Sequence, residues 1–248
     1  MRPVAAIVIP TYNESRTIGR LLDSLREVAS DVAATWDLQI IVVDGASPDG
    51  TAEAVQEHRA GNPGLHLIRE EKKGGIGTAY RAGFAHAVTI LEAAVVLEFD
   101  GDLQHPPDIV PKMLAAVSSG ADLVLGSRRI DGGGYPRGWS LWRRFLSQFG
   151  GSLTRAILFF PGRRWREITD PTTGLRATRI SDGLRSLGWF GSESRGFGYK
   201  IETLHALVRS GVRVAEVPLK FQLRDAGESK ITRQTPGEIL TTAIRLRL

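Results

Sequence analysis

The stretch Glu98–Pro107 has the sequence EFDGDLQHPP, and we call it the acidic turn. It follows Ala93–Leu97, a short apolar run that predicts a buried strand. The carboxylates of Asp100 and Asp102 therefore come directly after a core strand. Gly101 between them lets the backbone bend and a ligand approach closely, and the two prolines that follow can begin a helix. The stretch thus predicts a strand, a turn and a helix around two neighbouring carboxylates.

The acidic turn offers only oxygen ligands. Gln104 adds an amide oxygen to the carboxylates of Asp100 and Asp102. Two carboxylates this close repel each other unless positive charge lies between them. Oxygen ligands favour Mg²⁺ or Mn²⁺ over zinc, and such an ion keeps open positions for phosphates. The alternative is that the two aspartates only end a strand and cap a helix, and the turn by itself leaves both open.

Length and composition limit the class of protein. The chain has 248 residues, of which 42% are hydrophobic, and this is enough for one substantial core. It contains no cysteine, which excludes disulfides and thiolate metal sites. No apolar run approaches the roughly 20 residues that cross a bilayer, and the first residues lack the profile of a signal peptide. We expect one catalytic domain over residues 1–230 and no transmembrane segment.

Positive charge is concentrated in one segment. Residues 128–166 contain nine arginines and a single acid, whereas the whole chain carries a net charge of only +5. Such a segment suits a nucleic-acid binder, an enzyme of anionic phosphates or a protein that touches an anionic membrane. Charge by itself leaves these three classes open.

Apolar runs and helical patterns alternate through the first half of the chain. This alternation predicts an α/β fold, with a mostly parallel sheet covered by helices on both faces. In such sheets ligands bind beyond the carboxyl ends of the strands. Several polar side chains follow predicted strand ends, and we expect them to meet at one edge: Tyr12, Asp44, Lys73, Asp102 and Arg128.

Large apolar residues recur at helical spacing between about 139 and 160, among them Trp142, Phe145, Phe149 and Phe160. One interpretation is a helix that packs on the core. The other is an amphipathic helix in a membrane interface, with arginines near the lipid phosphates. Arginine, tryptophan and phenylalanine without lysine favour the second. Residues 231–248 predict a further amphipathic helix at the C-terminal end.

Several motifs together carry a family resemblance. Ile9–Glu14 (IPTYNE) resembles the opening signature of inverting family 2 glycosyltransferases of GT-A fold, and Asp100–Asp102 resembles their Asp-x-Asp metal motif. The longer stretch Asp100–Pro107 resembles that of dolichyl- or polyprenyl-phosphate mannose synthases. The resemblance extends from Val4 to about Lys230, through four further stretches: Ser47–Thr51, Gly77–Tyr80, Gly126–Arg128 and Glu216–Lys230. The chain departs from the family at Gly45-Ala46, where an aspartate and a glycine are usual.

The resemblance implies transfer of mannose from GDP-mannose to polyprenyl (dolichyl-type) phosphate with inversion. It implies that Asp100, Asp102 and Gln104 hold Mg²⁺ or Mn²⁺, with Gly101 close to the sugar nucleotide. Five residues would hold the base and ribose: Pro10, Tyr12, Glu14, Val42 and Asp44. Five more would surround the donor and acceptor phosphates: Arg128, Arg143, Lys200, Arg224 and Lys230. Asp100, Asp102 and Arg128 would be the catalytic residues.

The chemistry implied by the resemblance needs no general base. A phosphate monoester has its second pKa near about 6 and is largely ionised at neutral pH. This agrees with the lack of an obvious Ser-His-Asp or Cys-His set, and we expect His105 to support the turn. The resemblance also implies a peripheral position on the cytoplasmic face of a membrane and no nucleic acid as a partner. The sequence leaves open whether a separate membrane protein anchors the enzyme.

Three alternatives remain. The first is the same reaction with another sugar nucleotide, such as UDP-glucose. The second is a nucleic-acid-binding protein that uses residues 128–166, which predicts salt-sensitive binding without a metal. The third is a nucleotidyltransferase, which would normally have a glycine-rich loop after the first strand.

Overall fold

A mixed β-sheet runs through the centre of the protein. The computed structural model describes residues 1–158, 165, 167–181, 194, 196–224 and 235–247. Within these residues the sheet has seven strands: β1 (Val4–Thr11), β2 (Asp37–Asp44), β3 (Leu65–Arg69), β4 (Val95–Glu98), β5 (Leu123–Ser127), β6 (Arg176–Arg179) and β7 (Val214–Pro218). Their order is β3-β2-β1-β4-β6-β5-β7. Only β6 runs antiparallel to its neighbours, β4 and β5.

Helices cover both faces of the sheet. The described helices are α1 (Ile18–Val32), α2 (Thr51–Arg59), α3 (Ile76–Thr89), α4 (Val110–Ser118), α5 (Leu141–Ile157), α6 (Gly198–Arg209) and α7 (Thr235–Arg247). Alternate side chains of β1 enter two separate clusters. Ile7 and Ile9 pack with residues of α1 and α4, whereas Val8 packs with residues of α3 and α6. Because both faces are buried, β1 is apolar from Val4 to Pro10. The predicted α/β fold is therefore confirmed.

Strand β6 is the strand whose place in the sheet the sequence pattern did not indicate. It lies between β4 and β5, which are consecutive along the chain apart from one helix. Its sequence, RATR, places Arg176 in a buried position. Hydrophobic periodicity misses such a strand because a charged side chain occupies a core-facing site.

Helix α5 (Leu141–Ile157) lies within the segment of about 139–160 for which the sequence predicts an amphipathic helix. Phe160 lies outside the described residues. The apolar stripe of α5 faces solvent: Trp142 is 66% exposed, Phe145 52% and Phe149 55%. The rings of Phe145 and Phe149 stack on each other, with centroids 5.7 Å apart. Trp142, Phe145 and Phe149 therefore do not pack on the protein's own core, whereas Ile157 at the end of α5 does.

Among the described residues, no helix combines the length and the apolar character that crossing a bilayer requires. The C-terminal helix predicted over residues 231–248 is observed as α7, which packs against α5 and α6.

Loops that follow β1, β2 and β4 lie along the carboxyl edge of the sheet. Each contains one non-glycine residue with a positive φ: Asn13 at 57°, Ala46 at 57° and Leu103 at 62°. Residues other than glycine rarely adopt this left-handed backbone conformation, and such backbone strain is concentrated at functional sites. Ala46 occupies a position where the family usually has glycine, so this chain keeps a glycine-like backbone conformation there with alanine.

Candidate active site

Asp44, at the end of β2, is fixed by its neighbours at the carboxyl edge. Its Oδ1 accepts hydrogen bonds from Thr11 Oγ1 at 3.1 Å and Ser47 Oγ at 2.5 Å, and its Oδ2 accepts one from the Ser47 backbone N at 2.9 Å. The carboxylate is buried and already oriented. It can therefore accept a further hydrogen bond from a ligand hydroxyl without rearranging.

Tyr12 carries a cation on one face of its ring. The Lys73 ammonium lies 3.6 Å from the ring centroid, a cation–π contact. Pro10 is half-buried at the end of β1, whereas the side chain of Val42 is buried in the core. A ligand at this edge can contact Tyr12 and Pro10 directly, but it can reach Val42 only through the backbone.

Glu14 joins the first loop to the acidic turn. Its Oε2 accepts a hydrogen bond from Thr17 Oγ1 at 3.1 Å, and its Oε1 lies 3.7 Å from Arg224 Nη1. Thr17 Oγ1 also donates to the Gly101 carbonyl at 3.2 Å. A Cβ on Gly101 would lie 3.2 Å from a methyl group of Thr11, so the glycine lets the turn pack tightly against β1.

His105 supports the acidic turn. The backbone N of Asp100 donates to His105 Nδ1 at 3.2 Å, so the proton is on Nε2, which lies 3.6 Å from Asp100 Oδ2. Burial lowers the pKa of His105 to about 4, and the positive charges of Lys200 and Arg128 add to this effect although Asp100 opposes it. His105 is therefore neutral near pH 7, and its one lone pair is already used. It is unsuited to act as a general base.

Asp102 faces an arginine. Its Oδ2 lies 2.6 Å from Arg224 Nη2, and its Oδ1 accepts a hydrogen bond from the Gln104 backbone N at 3.0 Å. Burial raises the pKa of Asp102 to about 6, and the negative charges of Asp100 and Glu14 contribute, although Arg224 and the Gln104 hydrogen bond oppose the rise. The positive charge near Asp102 therefore does not compensate for the burial of its carboxylate and for the neighbouring negative charges.

The acidic turn can supply some of the oxygen ligands of a metal ion, and a bound substrate would supply the others. The described residues contain no group of three or more histidine, aspartate or glutamate side chains arranged to hold an ion. Asp100 lies near Lys200 and Asp102 near Arg224, and the two carboxylates are close enough for Asp100 to raise the pKa of Asp102. Gln104 donates through Nε2 to the Gln222 carbonyl, which leaves its amide oxygen as an acceptor. Arg224 supplies the positive charge that a bound metal ion would bring to Asp102. Oxygen donors of this kind suit Mg²⁺ or Mn²⁺.

Lys200 is buried between two carboxylates. Its Nζ donates to the Gly174 carbonyl at 2.9 Å, and it lies 3.8 Å from Asp100 Oδ1 and 3.9 Å from Glu98 Oε2. Burial raises the pKa of Glu98, although Arg176 and Lys200 act against the rise. The pattern did not single out Glu98 or Arg176 as functional, because a charged residue at the end of an apolar run is usually exposed.

Arg128, just after β5, is held by Asp170. Its Nε and Nη2 each lie 2.7 Å from a different oxygen of the carboxylate, and the Asp170 side chain is completely buried. The guanidinium also lies 5.7 Å from the Phe221 ring centroid, and the Phe221 ring is 5.5 Å from that of His105. Arg128 is thus on the same edge as the acidic turn. Asp170 is not among the candidate residues of the sequence analysis, because a partner 42 residues away along the chain leaves no local signal.

Arg129 ties the same edge to α5. Its Nη2 donates to the carbonyls of Ser147 and Gln148 at 3.2 and 2.7 Å. A Cβ on Gly151 would lie 2.4 Å from this nitrogen, so the glycine in the middle of α5 makes room for the guanidinium. Of the residues that the resemblance assigns to the phosphates, Lys230 and the side chain of Arg143 lie outside what the structure describes.

Comparison with known proteins identifies the family. The chain matches the family described as Glycosyl transferase family 2 over residues 6–177. The undecaprenyl-phosphate mannosyltransferase of Micrococcus luteus is 38% identical over 244 residues, which cover 96% of this chain and 91% of that protein. The polyprenol monophosphomannose synthase of Mycolicibacterium smegmatis is 32% identical over 248 residues, which cover 98% and 88%. The dolichol-phosphate mannosyltransferase of Pyrococcus furiosus is 33% identical over 97% of this chain, but only 63% of that protein is covered.

Solved structures agree on the fold. The mannosyl-3-phosphoglycerate synthase from Rubrobacter xylanophilus has a TM-score of 0.66 at 21% identity, over 99% of this chain and 76% of that chain. The glucosyl-3-phosphoglycerate synthase from Mycobacterium tuberculosis, in complex with Mn²⁺, UDP and glucosyl-3-phosphoglycerate, has a TM-score of 0.61 at 22% identity, over 98% and 80%. At these identities the likeness concerns the fold, which is GT-A. The chain belongs to glycosyl transferase family 2.

Proposed function

We propose that this chain transfers mannose from GDP-mannose to a polyprenyl (dolichyl-type) phosphate and inverts the anomeric carbon. The observation that carries the proposal is the meeting of the acidic turn with Lys200, Arg224 and Arg128 at one edge of the sheet. Two carboxylates beside three cations suit a divalent ion and two anionic phosphates. The names of the relatives from Micrococcus luteus and Mycolicibacterium smegmatis support mannose as the sugar and a polyprenyl phosphate as the acceptor.

The nucleoside would lie against the ends of β1 and β2. Tyr12 offers a ring face for the base, and Asp44 is held with its carboxylate ready to accept a ribose hydroxyl. Pro10 and Glu14 border the same space. Val42 would contribute only its backbone, since its side chain is in the core.

Asp100, Asp102 and Gln104 would hold Mg²⁺ or Mn²⁺, which supplies positive charge for the departing diphosphate. Arg224, which pairs with Asp102 in this structure, is placed to turn towards the donor phosphates. Lys200 lies between Glu98 and Asp100 and would keep its positive charge beside the acidic turn during the reaction.

The reaction is a single displacement. An oxygen of the acceptor phosphate forms a bond to the anomeric carbon, the bond from that carbon to the diphosphate breaks, and GDP leaves with the electron pair. The acceptor phosphate is already ionised, so no proton has to be removed. The residues of the chain therefore act by orienting two anions, a contribution that can be large in two-substrate reactions.

The apolar stripe of α5 would bring the enzyme to its lipid acceptor. Its exposed rings would enter the interface of an anionic bilayer, and arginines of residues 128–166 would lie near the lipid phosphates. Replacing Phe145 and Phe149 together with serine should release the protein from anionic vesicles, as measured by co-sedimentation. Ile90, which is 66% exposed at the end of α3, provides a matched control, and Ile90→Ser should stay bound. Unchanged binding of the double variant, or equal loss in the control, would contradict the proposal.

The donor is tested by offering radiolabelled GDP-mannose and UDP-glucose separately, with polyprenyl phosphate and Mn²⁺. We expect labelled lipid only from GDP-mannose, with a β-linkage by NMR. Labelled lipid from UDP-glucose would support the alternative donor instead. Salt-sensitive binding of DNA or RNA without Mn²⁺, and no labelled lipid, would favour a nucleic-acid binder.

A further inference from the structure

Arg128 is bound along one edge of its guanidinium. Within the described residues, its Nε and Nη2 each donate to Asp170 at 2.7 Å, and Nη2 also donates to Thr172 Oγ1 at 3.3 Å. The backbone N of Arg128 donates to the same carboxylate at 3.2 Å. A guanidinium has its five N–H groups in a rigid plane. Pairing through Nε and Nη2 therefore directs Nη1 away from Asp170.

The acceptor side of the site is where Nη1 would be needed. Arg128 lies between the acidic turn, which it approaches through the Phe221 and His105 rings, and α5, to which the neighbouring Arg129 is bonded. If α5 lies on a membrane, as proposed above, a lipid phosphate from that side would meet Arg128 before the acidic turn. Arg128 is thus placed to meet the acceptor phosphate rather than the nucleoside.

Asp170 is itself fixed from the opposite side. Glu216, on β7, accepts hydrogen bonds from the backbone N of Thr169 at 2.8 Å and of Asp170 at 3.1 Å. Its other oxygen accepts from Thr169 Oγ1 at 2.6 Å, and that hydroxyl also lies 2.8 Å from Ser127 Oγ, next to Arg128. The turn that carries Asp170 is therefore attached to both β5 and β7.

We propose that Asp170 is the positioning residue for Arg128, and that Glu216 fixes Asp170, so that the edge of Arg128 that faces away from Asp170 is oriented before the acceptor phosphate arrives. This inference rests on the proposed function, because it takes that phosphate as the ligand of Arg128. The long arginine side chain loses its rotamer freedom during folding, so binding does not have to supply that cost. Asp170 cannot contact the ligand itself, since its side chain is completely buried.

The test measures binding without turnover. Calorimetry would give the affinities of farnesyl phosphate, a short isoprenyl phosphate, and separately of GDP with Mn²⁺. Asp170→Asn keeps the shape of the side chain but removes its charge and turns one acceptor into a donor. We expect this variant to lower the affinity for farnesyl phosphate by about tenfold and to leave the affinity for GDP unchanged. In an Arg128→Gln background, Asp170→Asn should have no further effect, because Asp170 acts through Arg128.

Asp122 provides the matched control. It also pairs with an arginine, Arg213, but beside the opposite end of β5. Asp122→Asn should leave both affinities unchanged. Circular dichroism checks the fold of each variant. Glu216→Gln is a milder second variant, because it keeps one acceptor oxygen for the backbone of the turn. It should lower the affinity for farnesyl phosphate by about threefold.

The outcomes separate the two levels of inference. Wild-type protein that binds GDP with Mn²⁺ but no farnesyl phosphate would overturn the proposed acceptor and, with it, the ligand of Arg128. If folded Asp170→Asn and Glu216→Gln bind farnesyl phosphate with the same affinity as the wild type, the positioning role is overturned and the proposed function still stands. Equal losses for farnesyl phosphate and GDP, or additive losses with Arg128→Gln, would also overturn it.

Discussion

Two aspartate–arginine pairs lie at the same edge of the sheet, and their carboxylates behave in opposite ways. Asp102 is 2.6 Å from Arg224, and Asp170 is 2.7 Å from Arg128. Burial, with the charge of Asp100, raises the pKa of Asp102 to about 6. Burial would also raise the pKa of Asp170, but the charge and hydrogen bonds of Arg128 outweigh it, and the pKa is lowered. The distance between partners therefore does not reveal the role of the pair.

The difference arises from what else surrounds each carboxylate. Asp170 accepts two side-chain bonds and one backbone bond from Arg128, and the charges that act on it most strongly, those of Arg128 and Arg129, lower its pKa. Asp102 has Asp100 and Glu14 nearby and shares Arg224 with Glu14. A fully compensated carboxylate fixes its partner, whereas an under-compensated one is stabilised by a further cation.

The largest expected effect is on transfer. Asp102→Asn should lower the rate of mannosyl transfer by about 1,000-fold, because it removes a charged oxygen ligand at the position where the metal would bind. The thermal unfolding midpoint should stay unchanged or rise. The raised pKa of Asp102 means that its charge is unfavourable in the folded protein, and asparagine removes that charge. Transfer assays with Mn²⁺ and calorimetric melting check both. Full transfer activity, or a marked fall in the midpoint, would break the contrast with Asp170.

The second effect is on stability. Asp170→Asn should lower the free energy of unfolding by about 3 kcal/mol at pH 7, because it leaves the guanidinium of Arg128 without its charged partner. Urea unfolding followed by fluorescence measures this value. Asp122→Asn, which affects a more exposed pair, should change it by less than about 1 kcal/mol. Equal changes in the two variants would mean that the Asp170 pair is no better compensated than one at the surface.

The same variant predicts a pH dependence. The folded-state pKa of Asp170 lies below its unfolded value of about 3.9. The pair therefore contributes its full stability above about pH 4, and the contribution is lost as the pH falls through the folded-state pKa. The difference in unfolding free energy between wild type and Asp170→Asn should shrink below about pH 4. Urea titrations at several pH values check this, and a constant difference would contradict it.

The smallest effect concerns metal affinity. Arg224→Gln removes a cation from Asp102, so the nucleotide-free protein should bind Mn²⁺ about threefold more tightly, a modest change because Arg224 is partly exposed. Paramagnetic resonance of free Mn²⁺ measures the affinity. Arg213→Gln, beside the opposite end of β5, should leave it unchanged. Weaker Mn²⁺ binding in Arg224→Gln would indicate that the arginine supports the metal site instead of competing for it.

Local patterns predicted much of this molecule. The strands that begin with Val4, Asp37, Leu65 and Val95, the acidic turn and the amphipathic α5 all follow from periodicity and turn residues. These features depend on neighbours within a few positions, so a single sequence contains their signal. The family motifs added candidate site residues, and the structure brings Asp100, Asp102, Lys200, Arg224 and Arg128 to one edge.

The sequence by itself determined the α/β alternation, the acidic turn and the amphipathic character of residues 141–157. Only the tertiary structure decided that β6 lies between β4 and β5, that the α5 stripe faces outwards, and which arginine meets which aspartate. Arg128 and Asp170 are 42 residues apart, and Arg224 and Asp102 are 122. An ion pair depends on the positions of two charges in space, and chain folding sets these positions through packing that no local pattern records.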